Sequence, residues 1–263
     1  MTAEDFSRLM QAHRSIRQYR TDPVAPELLQ RVLSEALHGA SSSGNLNMVS
    51  VITTQDPLRK ARLCALHFDQ PMVKQAPLVL TFCADSHRTR SWLAQRGARL
   101  NFDNLLAYHV AAFDAIILAQ TTALALQSHG LGICYMGTTL HSMRALADFL
   151  ECPVNVLPVT SMVVGWPAEN PAQRDRLPPA AWVHAERYQP PTPASIDANF
   201  EVREVNGWNR YRSMGPEMIE KMAELGITSL AQYYTSDIKY APQTFRRDSQ
   251  ALRALLEERG FLP

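Results

Sequence analysis

The chain has 263 residues, 46% hydrophobic and 19% charged, and its 26 Lys and Arg against 25 Asp and Glu leave a formal net charge of +1. That composition can bury a sizeable core, which excludes intrinsic disorder, and the balanced charge argues against a protein whose main affinity is for nucleic acid or acidic membranes. The length suits one large domain with appendages or two small ones.

Thr2 and Asp5 form an N-cap pair ahead of Phe6, Leu9 and Met10, which predicts a first helix running to about Gln11. A second helix starts near Pro26, carries Leu28, Leu29, Val32 and Leu33 on one side, and stops at Gly39. Ser41 to Asn45 reads as a loop, Val49 to Thr54 as a strand and Leu58 to His67 as helix again. The continuous apolar run Pro77 to Cys83 has strand length and belongs mid-sheet. Phe102 to His129 predicts a long, largely apolar helix ended by Gly130, of the kind enclosed by protein and often by a second subunit. Its most apolar part, Val110 to Leu126, is interrupted by Asp114 and Gln120 and reads as buried helix, too short and too polar to span a bilayer. Met143 to Leu150 is a short helix, and Val156 to Gly165 a strand in which Pro158 marks an edge or a bulge.

Beyond Gly165 the texture changes. Pro167, Pro171, Pro178, Pro179, Pro190, Pro191 and Pro193 predict an extended arm over about 167–193 that completes a core of residues 1–193. Residues 194–263 read as a C-terminal helical extension, with helices near 216–225 and 244–259. These hold too few apolar residues for a core of their own and are expected to pack on the core or on a partner subunit.

Cys64, Cys83, Cys134 and Cys152 are widely spaced with no C-x-x-C, which indicates neither a zinc site nor a disulfide framework. The N-terminus carries Glu4 and Asp5 and no apolar signal region, so a cytoplasmic protein is expected. Rossmann, P-loop, zincin and nucleophile-elbow motifs are all absent from the sequence.

The residues that do suggest chemistry are arginines. Arg14, Ser15 and Arg17 offer two guanidinium forks and a hydroxyl within one turn, a cradle for a phosphate monoester, against the plainer reading of an exposed basic turn. Arg174 and Arg176 repeat the pair in the extended arm, and two separated pairs in a nearly neutral chain suggest a shared anion. Ser41 to Ser43 with Asn45 and Asn47 are hydrogen-bond donors for a polar ligand or an ordinary polar loop. The glycines of Gly130 to Gly137 either let the backbone approach a flat ligand or cap the helix before them.

Taken in order, His13-Arg-Ser-Ile-Arg17, Ala40-Ser-Ser-Ser43, Gln70 in Asp-Gln-Pro-Met, Gly130-Leu-Gly132 through Tyr135-Met-Gly137, Gly165-Trp-Pro167 and Arg174-Asp-Arg176-Leu-Pro178 make the sequence resemble the flavin-dependent nitroreductase family. It looks closest to the oxygen-insensitive, NADPH-preferring nitroreductases and flavin reductases, over roughly residues 5–190. The resemblance implies an α+β fold with a mixed sheet flanked by helices, and an intertwined homodimer with FMN bound at the interface. It assigns His13, Arg14, Ser15, Arg17, Arg174 and Arg176 to the flavin phosphate and ribityl end. Ser42, Ser43 and Gln70 fall along the ribityl and ring edge, and Tyr135, Met136 and Gly137 against the isoalloxazine. It implies hydride transfer from NADPH or NADH through flavin N5 to a nitroaromatic, quinone or similar small acceptor, with ping-pong kinetics.

In such an enzyme the cofactor carries the reaction, so no side chain is named as acid, base, nucleophile or metal ligand. Two other readings stay open: a flavin reductase supplying reduced FMN to another enzyme, and a flavin-binding regulatory protein without turnover. The sequence departs from the family at Gly137-Thr138-Thr139, where a second glycine is usual, and at Met72, where an aromatic is common. Arg203, Arg210, Arg212, Arg246 and Arg247 are available to a nucleotide 2′-phosphate but do not align cleanly, which leaves NADPH and NADH both open.

Overall fold

A computed structural model describes residues 2–263. Helix α1 (Ala3–Gln11) opens on the expected capping box: Thr2 Oγ1 accepts from the Asp5 amide at 3.1 Å, and Asp5 Oδ2 from the Thr2 amide at 2.9 Å. Helix α2 (Pro26–Gly39) starts on a proline, whose missing N–H would have had no intrahelical partner there. Next come β1 (Val49–Thr54), α3 (Pro57–Leu66), α4 (Met72–Gln75), β2 (Leu78–Asp85) and α5 (His87–Gln95). They are followed by α6 (Leu105–Ser128), β3 (Gly132–Met136), α7 (Met143–Phe149) and β4 (Val156–Gly165). The C-terminal part holds α8 (Pro193–Arg212), α9 (Pro216–Glu224), α10 (Leu230–Tyr234) and α11 (Pro242–Glu258).

The fold is α+β, with a four-stranded sheet in the order β1-β2-β4-β3 flanked by helices. Every ladder is antiparallel, which corrects the mixed sheet expected from the resemblance. A parallel neighbour requires a segment running in the same direction, and beside β3 that segment is the stretch after α1, joined by an isolated bridge from Ser15 to Ile133. Strand β2 is buried at every position, as a continuous apolar run predicts. Pro158 proves to mark a bulge: it lies opposite Cys83, where the β2–β4 register shifts, and outside the stretch of β4 that pairs with β3.

Alternation along the strands sends two sets of side chains to two cores. Leu78, Leu80, Phe82, Ile133, Met162 and Val164 pack against α2 and α6. Val79, Cys134, Met136 and Val163 pack against Leu63 and Cys64 of α3 and Val73 of α4. Cys83 and Leu157 join α7 and the chain end, where Leu255, Leu256 and Phe261 are buried.

Helix α6 is longer than its most apolar stretch, and by length and composition alone it would cross a membrane. One face is in fact packed on the sheet, where Ala111, Ala115, Ala119 and Ala123 at i, i+4 spacing let helix and strands approach closely. Its other face leaves Leu106, Phe113, Ile116 and Ile117 exposed.

The chain forms two compact units, one running through Gln173 and including Ala251–Pro263, the other Arg174–Gln250. The second unit has a small aromatic core that the sequence reading overlooked: Met222, Ile227 and Tyr233 are buried against Trp208, Tyr211 and Met218, with the Tyr211 and Tyr233 rings 4.1 Å apart. Gly207 makes this packing possible, since a Cβ there would lie 2.6 Å from a Leu230 methyl. Helix α8 was not expected from its polar sequence; a Thr192–Ser195 capping box starts it.

Candidate functional site

The segment after α1 is laid down along the open edge of β3. The Ile16 amide donates to Ile133 O at 2.9 Å and the Arg20 amide to Trp166 O at 2.9 Å, while the Tyr19 hydroxyl donates to Ile16 O at 2.6 Å. Close approach depends on Gly132 and Gly165, which are paired across the β3–β4 ladder. A Cβ on Gly132 would lie 2.7 Å from Ile16, and one on Gly165 2.5 Å from Pro77 and 2.9 Å from Tyr19. With Ile16 and Tyr19 buried as anchors, the intervening polar side chains stay at the surface of the edge.

Arg14, Ser15 and Arg17 are therefore brought together. Arg14 is half-buried, bonds Asn170 through Nη1, and has a buried Nε with no partner. Arg17 is exposed, and Ser15 hydrogen-bonds the Cys134 thiol. His13, next to Arg14 in the chain, is held against α6, with its Nδ1 3.0 Å from the Gln127 carboxamide nitrogen. Glu169 supplies a counter-charge: its Oε1 accepts from the Arg17 amide at 2.5 Å and the Gln18 amide at 3.0 Å.

At the end of β3 the three expected ring contacts divide. Tyr135 turns toward α6, where its hydroxyl donates to Gln120 Oε1 at 3.4 Å, and burial pushes its pKa well above the usual tyrosine value. Met136 turns the opposite way and is buried among Leu63, Val73 and Leu146, so only its backbone faces outward. At Gly137 an added Cβ would meet nothing within 4 Å, which marks open space beside the backbone. Thr139 Oγ1 donates to Met136 O at 2.8 Å and closes the turn.

Gln70 stands at this same end. Its Nε2 donates to His67 O at 3.2 Å and to Thr138 Oγ1 at 3.4 Å, and its carbonyl accepts from the Cys64 thiol at 3.3 Å. His67 is fully buried, with Nδ1 2.8 Å from Thr138 Oγ1, and desolvation holds its pKa down at about 4, so the ring is neutral near pH 7.

The serine loop is built elsewhere. Ser42 Oγ donates to Asp114 Oδ2 at 2.7 Å, the Met48 amide donates to the same oxygen at 2.9 Å, and the Ser43 amide donates to Oδ1 at 3.3 Å. Ser42 Oγ also accepts from the Asn47 amide at 2.8 Å, so its hydroxyl is committed within the loop. Asp114 precedes Gln127 by 13 residues on α6, which separates them by about 20 Å along the helix axis. The serines and His13 are thus tied to well-separated points of one helix.

Arg174 and Arg176 belong to the second unit, where both are exposed. Asp175 between them bonds Asn206 at 2.9 Å and Arg210 at 3.5 Å, and Arg176 donates to the Arg174 carbonyl at 3.0 Å.

Sequence reasoning missed the supports of this site: Asp114, Gln127, His67, Thr138 and Glu169. Only Asp114 left a signal, as a lone carboxylate inside an apolar helical run, which has to be hydrogen-bonded when buried.

The model of the Nitroreductase family matches residues 10–166. The chain is 35% identical over 253 residues to a Bacillus subtilis FMN reductase (NAD(P)H), covering 95% of this chain and 94% of that protein. It is 32% identical over 182 residues to an oxygen-insensitive NADPH nitroreductase of Salmonella typhimurium, covering 69% and 74%. A solved nitroreductase structure from Bacillus subtilis superposes with a TM-score of 0.81 at 26% identity, covering 97% of this chain and 98% of that one.

Proposed function

The chain belongs to the nitroreductase family, and from that premise we propose that it is an FMN-dependent NAD(P)H oxidoreductase acting on nitroaromatics, quinones or similar small acceptors. The observation that carries this reading is that the β3 edge holds the Arg14, Ser15 and Arg17 segment beside its start and leaves open space at Gly137 beyond its end, where Gln70 meets Thr138. The residues suit the cofactor. A phosphate needs charge-assisted donors, and the buried Arg14 Nε lacks a partner. A flat ring needs backbone without an intervening side chain, which Gly137 provides.

Bound there, FMN would supply hydride chemistry, taken from a nicotinamide and passed to the acceptor at one shared face. The chain's own part is to bind and orient. Arg14, Ser15 and Arg17 are read as the phosphate and ribityl donors, and His13 as their neighbour. Gln70 and the backbone of Tyr135, Met136 and Gly137 are read as the ring's polar edge.

The same reading takes the working form as a homodimer. Ser42 and Ser43 are anchored at Asp114, about 20 Å along α6 from the His13 contact, so a second copy is what would bring its serine loop to this flavin. The exposed Leu106, Phe113 and Ile117 form a stripe on α6 suited to such a partner.

A second reading is favoured by the names of the relatives. The match to a protein named FMN reductase spans nearly the whole chain, which supports free flavin as an alternative acceptor. Steady-state assays with NADPH test both. Parallel double-reciprocal lines with a nitroaromatic or quinone support the first reading, and turnover confined to free FMN supports the second. Absence of any NAD(P)H oxidation by flavin-loaded protein would contradict both.

A further inference from the structure

Gln70 is held more firmly than a ligand-contacting side chain at a surface turn ordinarily is. Phe68 and Asp69, which precede it, both adopt left-handed backbone with φ of 57° and 53°, a conformation that is unfavourable for non-glycine residues. This double turn folds the chain back after α3, so that the Gln70 carbonyl meets the Cys64 thiol and its carboxamide meets the His67 carbonyl. Such strain persists only where surrounding contacts over-determine it, and it concentrates at functional sites.

The carboxamide itself is fully assigned. Its nitrogen carries two hydrogens, one directed to His67 O and the other to Thr138 Oγ1. Thr138 Oγ1, which accepts from Gln70, lies 2.8 Å from Nδ1 of the buried His67. That hydrogen bond joins His67, Thr138 and Gln70 into one string of three side chains. Nε2 of the His67 ring is buried without a partner, so the ring's orientation is set by the Thr138 contact. What remains is Gln70 Oε1, to which no group donates among the described residues.

We propose that His67 and Thr138 are positioning residues that lock the Gln70 carboxamide with its oxygen outward, as an acceptor for the single N–H of the oxidised flavin ring. The inference rests on the flavin reading above and concerns two residues that the resemblance does not assign. An unlocked amide presents its NH2 group to the ring N–H about as readily as its oxygen, and two donors face to face repel.

Two variants and two ligands test this. Thr138→Val keeps the shape and removes the hydroxyl; Thr138→Ser keeps the hydroxyl. Titration of apoprotein by flavin fluorescence is expected to show Thr138→Val binding FMN and riboflavin roughly three- to tenfold more weakly, by the same factor for both, because the contact is to the ring and not to the phosphate. Thr138→Ser is expected to bind within about twofold of wild type. Thr138→Val with wild-type affinity, or Thr138→Ser as impaired as Thr138→Val, would overturn the positioning role while leaving the flavin reading intact. Failure of the wild type to bind either flavin would overturn both.

Discussion

Gly132 and Gly165 face each other across the β3–β4 ladder, and a methyl group on either would collide with the segment that carries Arg14 and Arg17. The pair of missing side chains forms the slot into which Ile16 and Tyr19 fit. Gly165→Ala, which meets Pro77 and Tyr19, is expected to destabilise the fold by roughly 1–3 kcal/mol, as overpacking does. Gly132→Ala, which meets Ile16, is expected to weaken FMN binding as well by displacing the arginine segment. Thermal melting and flavin titration of the two variants check this.

Arg14→Ala and Arg17→Ala are each expected to weaken FMN binding by roughly ten- to a hundredfold, the loss of one charge-assisted bond of about 1.5–3 kcal/mol. Riboflavin, which lacks the phosphate, is expected to bind the variants and the wild type about equally. Equal losses for both flavins would place these arginines away from the phosphate.

Asp114 gathers one hydroxyl and two amides at a position only 3% exposed. Asp114→Ala leaves all three donors without their acceptor and is expected to cost roughly 2–4 kcal/mol, read as a lowered melting temperature. The serine loop is expected to become protease-sensitive in the same variant.

Much of this architecture was legible in the sequence. The Thr2–Asp5 capping box, the proline start of α2 and the apolar run of β2 each follow from local chemistry, and the structure places them as expected. Strand β3 was not legible, because the glycines of Gly130 to Gly137 read as a helix cap or a close approach to a ligand until Ile133 and Cys134 are seen to face opposite cores. Helix α8 is polar on most sides and has little periodicity to detect. In the site, the arginine segment was visible as a motif, but its supports were not. Gln127 and Glu169 act on His13 and Arg17 across more than a hundred residues, and only the fold brings them together.

Burial of His67 gives stability an acid limb. Its pKa lies at about 4 in the folded chain against an ordinary 6.5. Above pH 6.5 both states are neutral and the group has no effect. Between about 6.5 and 4 the unfolded chain takes up a proton that the folded chain refuses, so stability falls as pH drops, by about 1.4 kcal/mol per unit and roughly 3 kcal/mol in all. His67→Asn, which does not titrate, is expected to flatten this limb in chemical denaturation measured from pH 7 to pH 4. An unchanged slope would mean that His67 titrates normally.

The exposed α6 stripe provides a test of assembly. Phe113, 61% exposed, is expected to lie at the contact between two copies. Phe113→Asp is expected to halve the mass seen by light scattering and to release flavin. A wild-type protein that is already monomeric and yet holds flavin would contradict the shared-site reading.

The central claim is that this chain holds a flavin which a nicotinamide can reduce. Its most direct test is the visible absorption spectrum of the purified protein without oxygen, before and after NADPH and then NADH. The account predicts flavin bands that bleach with at least one of the two nucleotides and return when a nitroaromatic or quinone is added. A protein that stays colourless after incubation with FMN, or whose bound flavin neither nucleotide bleaches, would contradict it.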